Sequence, residues 1–211
     1  MAEQGTEEWL LERCGKVTAS RISCVMAKRK DGKPASERLN YRSELLIERI
    51  TKRPYPRLFT SDAMKWGTET EPEARRAYEF FVDRDVQQVG FTPHPQIEMC
   101  GASPDGLVGE AGLLELKCPN TATHIDTLLS GTIPDKYLKQ MLFQMACTGR
   151  EWCDFASYDP RMPEHMRLFV KRVERDDAAV AEIENEVRLF LAEIEEKVAA
   201  LRSRYEQKEA A

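Results

Sequence analysis

The residues best suited to chemistry lie between Ser103 and Pro119, in the stretch SPDGLVGEAGLLELKCP. Asp105 sits in a Pro-Asp-Gly turn signal, and Glu115 and Lys117 follow in a short run flanked by Leu113, Leu114 and Leu116. The length of that run and the Gly112 before it predict a strand. Side chains then alternate, so Glu115 and Lys117 share one face and Leu114 and Leu116 the other. Carboxylates brought together raise one another's pKa, and a divalent cation with hard oxygen ligands relieves the repulsion. A salt bridge on a solvated strand would use the same residues.

The acid-x-Lys tripeptide alone decides nothing, because it occurs four times: Asp31 to Lys33, Glu115 to Lys117, Glu195 to Lys197 and Glu206 to Lys208. The last two fall in a helical tail, where positions i and i+2 diverge. Only the copy at 115 to 117 has strand context and an upstream Pro-Asp. That combination resembles the PD-(D/E)xK nuclease pattern, which implies metal-dependent hydrolysis of a phosphodiester.

At 211 residues the chain can build one substantial core, or a core with an appendage. Charged residues make up 32 % of it and no apolar run exceeds four, which excludes a membrane span of the usual kind. The segment MAEQGTEEW lacks the basic and apolar regions of a signal peptide, so a cytoplasmic location is expected. Six cysteines without any C-x-x-C pair argue against a zinc ribbon or a disulfide framework. The net charge is -5, yet residues 16–57 carry twelve Lys or Arg against four acids, a local +8 that leaves about -13 elsewhere. Segregation of that kind suggests a basic surface that meets phosphates, against the plainer reading of a solvated helix face.

In chain order, Thr6 to Cys14 reads as a short helix with acids in its first turn, and Thr18 to Ala27 as a second. Arg13, Thr18 and Ser20 supply a guanidinium, two hydroxyls and a helix start, the parts of an anion pocket. KRKDGK at 28–33 is a loop. A helix follows Ser36, with Leu39, Leu46, Ile47 and Ile50 as its core stripe. Ser61 to Val82 is helical with a bend or restart at Pro72, near which Glu69, Glu71 and Glu73 crowd. Strands are expected at 86–90, 96–103 and 112–118, with Asp105 and Gly106 turning the second toward the third. Helices at 121–130 and 134–147 come next, the latter with a stripe of Tyr137, Met141 and Met145 beside the i,i+4 pair Gln140 and Gln144. Two more strands, 151–158 and 166–173, precede one long helix from Asp176. The expected architecture is α+β, a central mixed sheet flanked by helices in a single domain, 1–211, with a long C-terminal helix.

Five islands in the same order strengthen the reading: GKVTAS at 15–20, WGTETEPEAR at 66–75, ASPDGL at 102–107, LELKCP at 114–119 and SYDPRM at 157–162. With the helix, three strands, helix, strand order they resemble lambda exonuclease and its YqaJ-like viral recombinase relatives, which have a restriction-endonuclease-like core. The resemblance implies a Mg2+-dependent (or Mn2+-dependent) exonuclease with two ions in its site. It would digest one strand of duplex DNA from the 5′ end, release mononucleotides and leave a 3′ strand for a single-strand annealing protein in phage-type recombination. By motif, Asp105 and Glu115 would hold metal with the Leu116 carbonyl, and Glu71 would join directly or through water. Lys117 would orient or help deprotonate the attacking water. Arg13, Ser20, Ser103 and Gln140 would take the terminal 5′-phosphate. Lys28, Arg29 and Lys30 would follow the duplex, and Met64 would sit where relatives place a wedge between strands, a position that plain core packing would equally explain. The resemblance also implies a ring of three subunits around the DNA.

Two other readings use the same residues. One is a PD-(D/E)xK endonuclease or junction resolvase, which would cut DNA without ends. The other is a catalytically silent scaffold that binds DNA ends, against which the intact Asp105, Glu115 and Lys117 argue.

Overall fold

Thr6 opens α1 (Glu7–Arg13), its hydroxyl accepting from the Trp9 amide at 3.3 Å with Glu7 and Glu8 in the first turn. The structure is a computed structural model that describes residues 2–56 and 62–205. Gly15 ends this element at φ +73, and a Cβ there would lie 2.9 Å from Cγ of Arg49, so the turn needs glycine twice over. The stretch read as one helix from Thr18 to Ala27 is instead β1 (Val17–Thr18), a 3-10 turn (Ala19–Arg21) and a short α2 (Ile22–Val25). Two long helices follow, α3 (Ser36–Thr51) and α4 (Asp62–Val82). Of the bend or restart expected at Pro72 the restart does not occur: α4 runs through it as one helix, with Ala74 and Tyr78 just beyond it wholly buried.

Five short strands come next: β2 (Val86–Gln87), β3 (Thr92–Pro93), β4 (Cys100–Ala102), β5 (Gly106–Val108) and β6 (Gly112–Lys117). The expected strand at 86–90 is shorter, and that at 96–103 is reduced to β4, which pairs antiparallel with β3 across the loop 94–99. Pro93 and Pro95 have no amide to offer a ladder, and Nδ1 of His94 accepts from the amides of Gln96 and Ile97 at 3.1 Å each, closing a turn there. Asp105 and Gly106 do not make the reversal: Gly106 already pairs with Leu114, and the chain turns at 109–111, where Gly109 has φ +54. Then α5 (Thr121–Ser130) and α6 (Asp135–Thr148) carry the chain across to β7 (Trp152–Tyr158), parallel to β6, before the antiparallel β8 (Leu168–Glu174) and α7 (Asp177–Tyr205).

The five-stranded mixed sheet runs β2-β5-β6-β7-β8, with β6 in the middle, and a small sheet runs β1-β4-β3. On one face of the larger sheet Leu113, Cys153 and Phe155 join Met141, Phe143 and Met145 of α6 and, beyond them, α2, α3 and α7. On the other face Leu114, Leu116, Ala156 and Tyr158 pack on Ala74 and Tyr78 of α4. A central strand covered on both sides is why LLEL can be almost wholly buried despite its acid. All six cysteines are free, and Cys147 and Cys153 are small core residues as expected.

Of the stripe expected to be core on α3 only Leu46 packs against the core, and it is partly buried; Leu39, Ile47 and Ile50 are all substantially exposed, and the buried positions are Arg38, Tyr41, Leu45 and Arg49. The spacing is helical in both cases, but the face is chosen by charge. Arg38 bonds Glu193 at 2.5 Å, reaches Glu186 at 3.6 Å and donates to the Val25 carbonyl, while Arg42 meets Glu193 at 3.1 Å and Arg49 meets Glu195 at 3.1 Å. Much of the positive surplus of residues 16–57 is therefore turned onto the acids of α7. Arg38→Met is expected to lower stability by about 2–4 kcal/mol, under the cost of splitting a fully buried pair because Glu193 is 34 % exposed. Although burial acts to raise it, the pKa of Glu193 is held below the usual glutamate value by Arg38 and Arg42. The pair thus stabilises the fold fully above the unfolded pKa and loses that effect as pH falls through the lower folded one, so denaturant midpoints of variant and wild type should converge in acid.

Candidate active site

The β5–β6 hairpin register pairs Gly106 with Leu114, and one further step sets Asp105 opposite Glu115. Gly106 also lets β2 pack against β5, because a Cβ there would lie 2.0 Å from Cγ1 of Val86 on β2. Oδ2 of Asp105 accepts from the Leu116 amide at 2.7 Å, fixing the carboxylate across the two strands. As the alternation predicts, Glu115 and Lys117 share the face turned toward α6, and the Lys117 ammonium bonds Oε1 of Glu115 and lies 3.9 Å from Oδ2 of Asp105. The two acids and the amine expected to meet do meet.

Glu115 is fully buried, and α6 supplies its remaining partners: Gln140 donates to Oε1 and Gln144 to Oε2, each at 2.7 Å. Gln144 has no part in the reading from sequence, although its i,i+4 spacing from Gln140 was visible there. Burial, reinforced by the charge of Glu115, pushes the Asp105 carboxyl up to about 8 against the pull of Lys117. Burial alone would depress Lys117, but Glu115 and Asp105 outweigh it and hold its pKa above the ordinary lysine value. The amine therefore stands here as a cation with three donors.

Two cavities open on either side of this cluster, and Asp105 and Lys117 border both. One, of about 220 Å³, is lined by Arg13, Ser20, Ser103 and Gln140, so the four residues expected at a terminal phosphate do share a pocket. Trp9, which sequence reasoning passed over, organises it: its Nε1 donates to Oγ of Ser103 at 3.0 Å and its ring lies 3.8 Å beneath the Arg13 guanidinium. Its position four residues before Arg13 on α1 was the available signal. Thr18 borders the same space, with its hydroxyl 3.4 Å from that of Ser20.

The other cavity, of about 450 Å³, is lined by Gly67, Thr68 and Glu71 of α4 together with Leu116, Cys118, Pro119 and Tyr137. Glu71 arrives paired with Arg75 at 2.5 Å. Two polar ties fasten α4 to the sheet: Tyr78 donates to Oδ2 of Asp154 and Tyr158 to Oε1 of Glu73, both at 2.8 Å. Lys28, Arg29 and Lys30 lie apart from both cavities. Lys28 bonds Glu186 of α7 at 2.6 Å, Arg29 bonds Asp31 at 3.2 Å and Lys30 is exposed. Met64 lies on α4, but its side chain falls outside the described residues.

Among the described residues no three His, Cys, Asp or Glu side chains form a closed set of metal ligands. The donors present fit a hard, hydrated cation: the Asp105 and Glu71 carboxylates line the larger cavity, and Glu115 lies buried behind them against Lys117.

Residues 8–151 match the YqaJ-like viral recombinase domain. The alkaline exonuclease LHK-Exo from Laribacter hongkongensis, whose crystal structures include a complex with dAMP, superposes with a TM-score of 0.89 at 50 % identity, covering 96 % of this chain and 99 % of that one. A phage-related exonuclease from Haemophilus somnus 129PT shares the fold, with a TM-score of 0.69 at 13 % identity over 88 % of this chain and 96 % of its own. No curated protein matches. With two thirds of its length inside the domain and a half-identical relative spanning nearly all of it, the chain belongs to the YqaJ-like viral recombinase family.

Proposed function

We propose that the chain is a divalent-metal-dependent exonuclease, acting as one domain, that digests the 5′ strand of duplex DNA ends and releases mononucleotides. The observation that carries this reading is the shared wall: Asp105 and Lys117 separate a cavity lined by Arg13, Ser20 and Ser103 from one lined by Glu71 and Leu116. An anion pocket one step beyond a pair of acids suits removal of one nucleotide at a time. LHK-Exo, named an exonuclease and crystallised with dAMP, supports the same conclusion, since a deoxynucleoside monophosphate is what such a step releases.

Asp105, Glu115 and the Leu116 carbonyl would hold Mg2+ or Mn2+, with Glu71 contributing once it is shared with Arg75. When bound, the metal neutralises charge on the scissile phosphate and makes water a better nucleophile. Gln140 and Gln144 aim the Glu115 carboxylate. Lys117 donates hydrogen bonds to the water or the phosphate and adds electrostatic stabilisation as charge develops. Arg13, seated on Trp9, meets the terminal 5′-phosphate with its planar fork, helped by the hydroxyls of Ser20 and Ser103. The reading extends to a cytoplasmic enzyme, assembled as a ring of three, that hands its 3′ strand to an annealing protein. None of the described helices is long and apolar enough to cross a membrane.

Glu115→Gln is expected to cut Mg2+-dependent digestion of a linear duplex by at least about 100-fold while end binding persists. Closed circular DNA should stay intact with the wild type, and nicking of it would favour the endonuclease reading. Arg13→Ala should slow digestion of 5′-phosphorylated ends by about 10-fold to 100-fold and of 5′-hydroxyl ends far less, so equal losses on both would remove Arg13 from the phosphate pocket. A third test reads stability rather than turnover. An unfolded Asp105 ionises near 3.8 and the folded one near 8, so the metal-free wild type loses stability as pH climbs between these values, whereas Asp105→Asn has no such titration. The variant should therefore melt above the metal-free wild type at pH 8, with the gap closing toward pH 4, and Mg2+ should raise the wild-type melting temperature only.

A further inference from the structure

The SYDPRM segment has no part in the reaction so far, yet it carries an arginine held from two sides beside the larger cavity. Asp159 is fully buried, and its Oδ1 accepts from the Arg161 amide at 3.0 Å and from Nε at 2.7 Å, while its Oδ2 accepts from Nη2 at 2.9 Å. Nη2 also donates to the Pro119 carbonyl at 3.2 Å, and Cζ lies 4.3 Å from the ring centroid of Trp66. One edge and one face of the guanidinium are thereby fixed. Nη1 donates to no acceptor among the described residues, and 45 % of the side chain is exposed.

The position is as informative as the restraint. Pro119 and Gly67, the neighbour of Trp66, both line the 450 Å³ cavity that Asp105 and Lys117 border. Arg161 therefore lies beside this cavity, tied to Pro119 after β6 and stacked on Trp66 near the start of α4, whereas Arg13 borders the smaller cavity. Neutralising Asp159 would use only the inner edge of the fork. A guanidinium frozen with its outer edge toward solvent is instead prepared for a second anion, because its rotamer freedom is lost before any ligand arrives.

We propose that Arg161 is a preset phosphate clamp, whose outer edge takes the second internucleotide phosphate of the strand being digested, next in line after the one beside Asp105 and Lys117. This rests on the exonuclease reading, in which the strand enters through the larger cavity and its 5′-phosphate lies at Arg13. Each hydrolytic step then ends with the following phosphate already held, and the clamp keeps the strand in register while the mononucleotide leaves.

The test uses duplexes with a single uncharged methylphosphonate at the first, second or third internucleotide linkage of the 5′ strand, bound without divalent ions so that nothing is digested. Substitution at the second linkage is expected to weaken wild-type binding by about 10-fold to 100-fold. Arg161→Ala should be nearly indifferent to the same substitution, Arg161→Lys should recover part of the penalty, and on intact DNA Arg161→Ala should reduce the salt slope of log K by about one. A purely structural arginine would not move that slope. The wild-type series needs no variant to fold: indifference at the second linkage overturns the clamp, as does a full penalty in Arg161→Ala. A penalty found only on the complementary strand overturns the strand assignment. Failure of the wild type to bind any duplex end would sink the exonuclease reading itself, a result distinct from all of these.

Discussion

The burial of Glu115 is the constraint on which the rest of the structure depends. A carboxylate without solvent exposure in the middle strand of a sheet would cost several kcal/mol if left alone. Three donors make it tolerable: the amides of Gln140 and Gln144 and the ammonium of Lys117. Each requirement has a structural consequence. The glutamines must lie one helical turn apart on an element packed over this face, which fixes where α6 sits. The lysine must be two residues along the same strand. Asp105, delivered across by the hairpin register, then meets a cluster whose charge is already set, and its own proton is held late by burial first and by the charge of Glu115 second.

The opposite face of the sheet is organised differently. There the buried polar groups are structural ties rather than chemistry. Asp154 is gripped by both arms of Arg172 at 2.8 and 2.9 Å while accepting from Tyr78, and Tyr158 holds Glu73. These bonds lock the α4 backbone onto the strands, so Glu71 is presented by a rigid support. Electrostatics also decides the larger packing: the arginines of α3 are drawn inward by the acids of α7, and aliphatic groups that pattern alone would bury are left outside.

The chemistry was more legible in the sequence than the packing. Asp105, Glu115 and Lys117 could be found because a strand with a strict two-residue repeat turns spacing into direction. Arg13, Ser20, Ser103 and Gln140 came from resemblance, and their convergence depends on α1, β4 and α6 meeting, which no local signal encodes. The inward face of α3 was misread because two arginines occupy it. A polar residue on a buried face is intelligible only with its partner, and those partners lie some 150 residues away. The Pro-Asp-Gly sequence looked like a reversal, yet the cross-strand partner of Gly106 and the following Gly-Glu-Ala loop moved the turn three residues downstream.

One helix has a double loyalty. α6 turns Gln140 and Gln144 toward the buried acid Glu115, while Met141, Phe143 and Met145 are sunk in the hydrocarbon interior. Oil and chemistry are mounted on the same rigid rod, and a methionine traded for a bulkier neighbour would rotate both amides with it. Selection for heat resistance acting on that interior would consequently register in turnover, and lineages adapting to different temperatures would have to retune the two together.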